Sequence, residues 1–139
     1  MPDIKPASGA TQAIAASALR AQQARMRIIA ENLANANSTS RTPGGDPYRR
    51  QTPVFAPVKV DGGTGVKMVR VEPDQKDFRT EYEPGHPSAD AKGYVKLPNV
   101  DSLVEAMDMR AAQRAYEANL NVIETARAME MRTLDLLKK

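Results

Sequence analysis

The sequence predicts a mainly α-helical protein whose two long terminal helices flank a small middle region that contains β structure. Apolar side chains recur at alternating spacings of four and three near the N-terminus, no proline or glycine follows Pro98, and residues 41–98 hold most of the 10 prolines and 8 glycines. We therefore expect an N-terminal helical segment over residues 1–40, a β-hairpin and extended connector over 41–98, and a C-terminal helical segment over 99–139. The two helices are expected to pack as an antiparallel, coiled-coil-like hairpin.

The N-terminal helix is predicted over residues 9–37. Ser8 or Thr11 is the expected cap, and the helix ends where Asn, Ser and Thr side chains compete for the backbone. Its apolar stripe is a heptad seam with one polar interruption at Gln22. The seam consists of Ala15, Leu19, Gln22, Met26, Ile29, Leu33 and Ala36.

The middle region is predicted to contain a β-hairpin. Residues 54–60 and 66–71 alternate in polarity like strands, and the Gly-rich residues 61–65 join them as a loop. Pro57 favours an edge position, because proline cannot donate to the sheet. Residues 76–82 are expected to add a short third strand.

The C-terminal helix is predicted over residues 99–137, after a lead-in at residues 93–98. Asn99 or Asp101 is the expected cap, and Glu105 places a negative charge where it favours the helix dipole. The terminal lysines complement the other end of that dipole. The apolar face of this helix consists of Leu103, Met107, Met109, Tyr116, Leu120, Ile123, Leu134 and Leu137. Since this face is wide, it can contact more than one neighbour.

Stability is expected to depend on partners. Aromatic residues make up 4% of the chain and there is no Trp, so the apolar stripes must pack on each other or on other copies. The residues expected at subunit contacts are Leu19, Met26, Ile29, Leu33, Asn35, Tyr116, Asn119, Leu120, Ile123 and Leu134. The helical asparagines are interpreted as register devices or as solvated side chains, and the methionines as adaptable contact residues or ordinary core.

The residues give no support to catalysis. The chain has no Cys, which excludes thiolate chemistry and Cys-based zinc sites. The lone histidine, His86, lies between Gly and Pro without a partner constellation, so we interpret it as a turn residue. The Gly-rich loop lacks the Lys-Ser/Thr of a phosphate-binding loop. We therefore predict no catalytic residue, no metal and no cofactor.

The net charge of +3 is formed by 20 basic and 17 acidic residues that are mixed along the chain. The cluster of Arg41, Arg49 and Arg50 is interpreted as a solvated loop or a subunit contact, with a nucleic-acid patch as the alternative. No stretch approaches the 18 apolar residues of a membrane span. A cleaved signal peptide is also not expected.

Two terminal motifs resemble those of the axial proteins of the bacterial flagellum. The first lies at residues 17–26 and 31–37, the latter reading Glu-Asn-Leu-Ala-Asn-Ala-Asn. The second lies at residues 116–119 and 122–126, reading Tyr-Glu-Ala-Asn and Val-Ile-Glu-Thr-Ala. The connector at residues 84–100 is similar to that of proximal-rod proteins in particular, and the short length argues against the hook and longer distal-rod subunits.

The resemblance implies a structural subunit of the proximal rod, which polymerises with copies of itself and other rod proteins into a drive shaft and export-channel wall. It implies export by the flagellar type III apparatus without a cleaved signal, a position across the periplasm, and a base at the membrane ring and export apparatus. The terminal helices would become ordered on assembly. A charge at Ile29 is expected to abolish assembly while leaving the protein soluble. The alternatives are a helical export chaperone or adaptor and a basic helical hairpin that binds nucleic acid.

Overall fold

The structure is a computed structural model that describes residues 7–138, with side chains described from Gly9 onward. It contains two long helices and four strands. The elements are α1 (Ala7–Ala34), β1 (Gln51–Val60), β2 (Gly63–Pro73), β3 (Arg79–Tyr82), β4 (Tyr94–Leu97) and α2 (Ser102–Leu137). Strands β1 and β2 form one two-stranded sheet, and β3 and β4 form another. Two long helices flanking a small sheet region confirm the predicted fold class at this level.

The described chain divides into two compact units, and each combines segments that are distant in sequence. The first, here named the hairpin unit, contains residues 7–26, 54–70 and 111–138. The second, here named the junction unit, contains residues 27–53 and 71–110. Each unit therefore draws on part of α1 and part of α2.

In the hairpin unit, the β1–β2 turn lies directly against α1. A side chain at Gly62 would place its Cβ 2.7 Å from Cβ of Ala10, and one at Gly63 would come 2.9 Å from Cδ1 of Ile14. Gly62 also has a φ of +82°, which glycine adopts without steric cost. The predicted hairpin is confirmed, with a tighter turn than expected because β2 already begins at Gly63.

The hairpin continues its approach to α1 at Gly65. A Cβ at this position would lie 2.3 Å from Oγ of Ser17. The alternation of exposure along β2 is interrupted at Gly65 and Val66, as a β-bulge would produce. The amide of Val66 donates to Ser17 Oγ at 3.1 Å, and the Ser17 hydroxyl donates to the carbonyl of Ile14 at 2.7 Å. Helix α1 therefore satisfies a backbone donor of the hairpin.

In the junction unit, β3 and β4 pair antiparallel, with Tyr82 opposite Tyr94. These rings meet edge to face, with their centroids 5.3 Å apart. The expected third strand is confirmed as β3, although it begins at Arg79. Strand β4 was not predicted, because residues 93–98 were interpreted only as a lead-in to the helix. Val95 of β4 is 1% exposed, so this segment contributes to the core of its unit.

The helix boundaries refine the predictions. Helix α1 ends at Ala34 rather than at residue 37, and Thr11 lies inside it, so Thr11 is not the cap. Ser8 lies within α1 as well. Helix α2 begins at Ser102, and Asp101 is its cap, because Asp101 Oδ1 accepts from the amides of Leu103 at 3.0 Å and Val104 at 3.4 Å. Residues 1–6 and Lys139 lie outside the described residues, so the expectations for the start of the N-terminal segment and for that lysine stay predictions.

Burial along α1 follows more than one stripe. Of the predicted seam, Ala15, Ile29 and Ala36 are buried, while Leu19, Gln22, Met26 and Leu33 are partly exposed. Ser17, Ala21, Ile28 and Asn32 are buried in addition. The additional positions in the hairpin unit, Ser17 and Ala21, lie on the side of α1 that contacts β2, since Ser17 binds the amide of Val66.

Candidate functional site: a buried polar junction and an exposed helix face

Asn32 of α1 is the central residue of a polar cluster in the junction unit. It is 1% exposed, and its Oδ1 accepts from the Tyr48 hydroxyl at 2.7 Å and from the amide of Gln51 at 2.9 Å. Its Nδ2 donates to the carbonyl of Gln51 at 2.8 Å and lies 3.5 Å from Oε2 of Glu105. This single amide side chain therefore connects the end of α1, the start of β1 and the first turns of α2.

Arg50 connects the same cluster to two further carboxylates. Its Nε donates to Oε1 of Glu105 in a close ion pair, and its Nη1 lies 3.1 Å from Oδ2 of Asp74. A longer contact of 3.8 Å joins its Nη2 to Asp108. Glu105 is 0% exposed, and a buried carboxylate is tolerated only when it is paired. Arg50 is therefore the residue that allows Glu105 to be buried.

Asn99 extends the cluster to the loop after β2. Its Oδ1 accepts from the amide of Arg50 at 2.7 Å, and its Nδ2 donates to the carbonyls of Asp74 and Lys76 at 3.0 Å each. Arg49 donates to the same two carbonyls, and its guanidinium lies 4.2 Å from the centroid of the Phe78 ring, within the range of a cation–π contact. Asn99 is thus a connecting residue rather than the cap of α2.

The cluster of Asn32, Tyr48, Arg50, Asp74, Asn99 and Glu105 is here named the polar junction. Its charged groups stabilise one another. Burial raises the pKa of Tyr48, and the nearby carboxylates of Glu31 and Glu105 raise it further. Burial alone would lower the pKa of Arg50, but hydrogen bonds and charges of Glu105 and Asp74 raise it above its usual value. The amide of Lys76, followed by Arg50, lowers the pKa of Asp74. The polar junction therefore combines the neutral phenol of Tyr48 with the guanidinium of Arg50 and the carboxylates of Glu105 and Asp74 that pair with it.

A second, smaller clasp holds two loops of the junction unit together. Ser88 is 5% exposed, its hydroxyl donates to the carbonyl of Ser40, and its carbonyl accepts from the amide of Gly44 at 3.1 Å. The amide of Ser88 donates to Nδ1 of His86 at 3.0 Å. His86 also donates its amide to the carbonyl of Glu83, which confirms its interpretation as a turn residue.

The predicted contact residues occupy positions of very different exposure. Ile29 is 4% exposed, whereas Leu120 is 38% exposed and Leu134 is 53% exposed. The partly exposed members are Leu19, Met26, Leu33, Asn35, Tyr116, Asn119 and Ile123. Two asparagines bond within their own helix: Asn35 Nδ2 donates to the carbonyl of Glu31 at 2.9 Å and Asn119 Nδ2 to that of Ala115 at 2.8 Å. Subunit contacts for these residues stay a prediction.

The polar junction was not predicted as a unit from the sequence. Glu105 was interpreted only as a charge near the helix dipole, and Arg50 as part of a basic loop cluster. Neither Asn32 nor Glu105 lies in a predicted apolar stripe, so the periodicity carried no signal of their burial. Their partners Tyr48 and Arg50 could not be assigned, because Tyr48 lies 16 residues from Asn32 and Arg50 lies 55 residues from Glu105 in the sequence.

Helix α2 exposes many large apolar side chains. Leu103 is 71%, Met107 62%, Leu134 53% and Leu137 77% exposed. The others are Val104, Leu120, Val122, Met129, Met131 and Leu136. Apolar exposure on this scale, along one 36-residue helix, is typical of a surface that another molecule covers.

Within residues 7–138, no helix has the length and apolar character that a bilayer crossing requires. The same part of the chain contains no group of three acidic or histidine side chains placed to hold a metal ion.

A fixed polar junction together with exposed apolar side chains on α2 is typical of a subunit of an assembly, and comparison with known proteins identifies its class. Residues 13–41 match the family model for flagella basal body rod proteins. Residues 91–136 match the model for the C-terminal segment of flagellar basal body rod FlgEFG proteins. These matches include both terminal motifs.

Curated relatives specify the family. The flagellar basal-body rod protein FlgC of Agrobacterium fabrum is 50% identical over 136 residues, covering 96% of this chain and 96% of its own length. The FlgC of Salmonella typhimurium is 46% identical over 127 residues, with 88% and 92% covered, and that of Bacillus subtilis is 35% identical over 142 residues, with 90% and 95% covered. The chain belongs to the FlgC family of flagellar basal-body rod proteins.

Membership makes the chain a structural subunit of the flagellar basal body that assembles with other rod components. The family is structural and is not a family of enzymes. The comparisons favour neither a chaperone or adaptor nor a nucleic-acid-binding hairpin. The structure agrees on the last point, because the guanidinium of Arg50 is paired with Glu105 and Asp74.

Proposed function

We propose that the chain is a proximal-rod subunit that polymerises with copies of itself and other rod proteins into the drive shaft, and that it forms part of the wall of the export channel. The observation that carries this proposal is the set of large apolar side chains that α2 exposes. Apolar side chains that are exposed in one chain would be covered in the functional assembly. Removing apolar surface from water favours association, with a free energy of about 25 cal/mol per Å².

Each of the three segments has its own proposed position in the rod. The N-terminal segment, residues 1–40, and the C-terminal segment, residues 99–139, are proposed to pack antiparallel and to line the tube. The middle segment, residues 41–98, is proposed to form the outer wall. Heterologous contacts that do not close would then generate a helical polymer.

The proposed contact residues have two roles. Leu120 and Leu134 are exposed and would contact neighbours directly, as would the partly exposed members of the set. Ile29 is buried within the chain and would act by holding α1 in its packing position. Asn35 and Asn119 would contribute to subunit contacts indirectly, because each side chain donates a hydrogen bond to a carbonyl of its own helix.

The proposal includes the route and place of assembly. The subunit would be exported by the flagellar type III apparatus without a cleaved signal and would assemble across the periplasm on the membrane ring and export apparatus. Support comes from the resemblance of both termini to axial proteins and from membership in the rod family.

Deletion of the gene, with rescue by the intact chain, tests the proposed function. We expect envelopes seen by electron microscopy to retain membrane-embedded rings but to lack rods, hooks and filaments, and we expect cells to stop swimming. Normal flagella in the deletion strain, with no second copy of the gene present, would contradict the proposal. A retained rod that ends at a different length would contradict the proximal position alone.

A further inference from the structure

We propose that a groove between α1 and the β1–β2 hairpin binds an acidic, amphipathic segment of a different rod protein. This inference rests on the proposed function, because it names the kind of neighbour that one surface of the subunit receives. The groove lies entirely within the hairpin unit.

The groove combines an apolar wall with a basic rim. It has a volume of about 450 Å³. Its uncharged lining consists of Ser17, Ala21, Ala24, Val58, Val60, Val66 and Met68. The charged lining residues in the described chain are Arg20, Lys59 and Lys67, and all three are exposed. No carboxylate is among these lining residues.

The polar group in this lining is already occupied. The Ser17 hydroxyl accepts from the amide of Val66 and donates to the carbonyl of Ile14. Ser17 and Ala21 are 3% and 5% exposed. These two residues are therefore covered by the chain itself, and the apolar surface open to an occupant is that of the half-buried Ala24, Val58, Val60, Val66 and Met68. The polar groups of the occupant must face the three cations at the rim.

The charge distribution indicates that the occupant is acidic. The described segments that form the groove, residues 9–26 and 54–70, contain five cations and one carboxylate. Cations that surround an apolar site favour a partner with carboxylates beside its apolar ridge, because such complementarity steers the encounter and selects the partner.

A second copy of this chain fits less well. Residues 111–138, which include most of α2 and carry much of the exposed apolar surface, contain four carboxylates and four cations. This segment has no net charge to oppose the rim. The acidic stretch of the chain, residues 72–83, contains five carboxylates and two cations, but it is already held within the junction unit, where Asp74 pairs with Arg50 and β3 pairs with β4. A single-stranded nucleic acid fits less well too, because none of the lining residues is aromatic and base stacking needs such a platform.

Site-specific photo-crosslinking in flagellated cells tests the inference. A photoreactive residue replaces Met68 in the groove or, as a control, the exposed Gln113 of α2. We expect the Met68 probe to crosslink to a different rod protein, at a segment in which Asp and Glu outnumber Lys and Arg. The control probe should not label that segment.

Charge reversal gives the second readout. Lys59→Glu combined with Lys67→Glu should abolish the crosslink and reduce the swimming halo at least several-fold. Replacing the labelled carboxylates of the partner by Lys should restore both. The matched control, Arg27→Glu combined with Lys92→Glu, makes the same change of net charge at exposed positions outside the groove and should swim normally.

Three outcomes would overturn the inference: a crosslink to another copy of this chain, a crosslink to lipid or nucleic acid, or normal swimming by the charge-reversed variant. Circular dichroism of the purified variants verifies that the fold is retained. A wild-type chain that is absent from purified basal bodies would instead overturn the proposed function, so the two failures are distinguishable.

Discussion

At the scale of single residues, Glu105 provides the most direct test of the polar junction. It is 0% exposed and is held by Arg50 and Asn32. Glu105→Gln keeps the shape but removes the charge, so we expect the free energy of unfolding to fall by about 2 kcal/mol, the range for hydrogen bonds to charged groups. Arg50 retains Asp74, which limits the loss. Urea denaturation measures the change.

Glu117→Gln is the matched control, because Glu117 lies exposed on the same helix. Its unfolding midpoint should stay close to that of the wild type, since surface substitutions usually change stability by less than about 0.5 kcal/mol. Equal midpoints for the Glu105 and Glu117 variants would show that the junction does not stabilise the fold.

Tyr48 makes the stability of the junction depend on pH at alkaline values. Burial, together with Glu31 and Glu105, raises the pKa of its phenol in the folded chain. A raised folded pKa favours the neutral phenol, so this contribution is complete below the unfolded value of about 10 and is lost as the pH rises through the folded pKa. At neutral pH, Tyr48→Phe should cost about 1 kcal/mol through the lost hydrogen bond to Asn32.

The stability difference between wild type and Tyr48→Phe should therefore shrink above about pH 10. Urea midpoints of both proteins, measured across a pH series, determine the difference. Parallel curves through the alkaline range would mean that the Tyr48 phenol does not titrate differently in the folded and unfolded chains.

At the scale of elements, the packing of the hairpin on α1 depends on glycine. A Cβ at Gly65 would lie 2.3 Å from Oγ and 2.9 Å from Cβ of Ser17, so the strand or the helix must shift. We expect Gly65→Ala to destabilise the protein by about 1–3 kcal/mol, the usual cost of overpacking. Gly85→Ala is the control, because nothing lies within 4 Å of its Cβ position. Thermal unfolding that does not separate the two variants would refute the close approach.

The elements that the sequence predicted well are those with long, uninterrupted local patterns. Helix α2 ends at Leu137 as expected, and the hairpin follows its alternation and its Gly-rich turn. Strand β4 was missed, because four residues that include one buried valine carry too short a pattern. Pairing with β3, in the register that places Arg79 opposite Leu97, defines this strand, and such pairing is not local information.

The polar junction was beyond prediction for a related reason. Asn32 and Glu105 can each be explained locally, as a residue near a helix end and as a charge near a dipole. Their burial becomes understandable only when Tyr48 and Arg50 supply partners from another segment of the chain. Periodicity indicates which residues share a helix face, but it does not identify the partner of a buried polar side chain.

At the scale of the whole molecule, a substitution at an exposed apolar position of α2 tests assembly separately from folding. Leu134 is 53% exposed, so a charge at this position meets solvent in the isolated chain and should change its stability by less than about 0.5 kcal/mol. In an assembled rod, the same charge would be buried without a partner, which costs several kcal/mol for each subunit. Leu134→Glu should therefore yield a folded protein that does not assemble.

Ile29→Asp is the informative contrast, because Ile29 is buried within its own chain. Its charge should destabilise the subunit before assembly, and its circular dichroism and urea midpoint should show the loss.

Leu134→Glu should keep a wild-type spectrum and yet fail to restore swimming or rods to the deletion strain. The control Gln113→Glu, an exposed polar substitution on α2, should restore both. Normal rods built from the Leu134→Glu chain would mean that this part of α2 stays exposed to solvent in the assembly. The contact face would then have to lie elsewhere on the subunit.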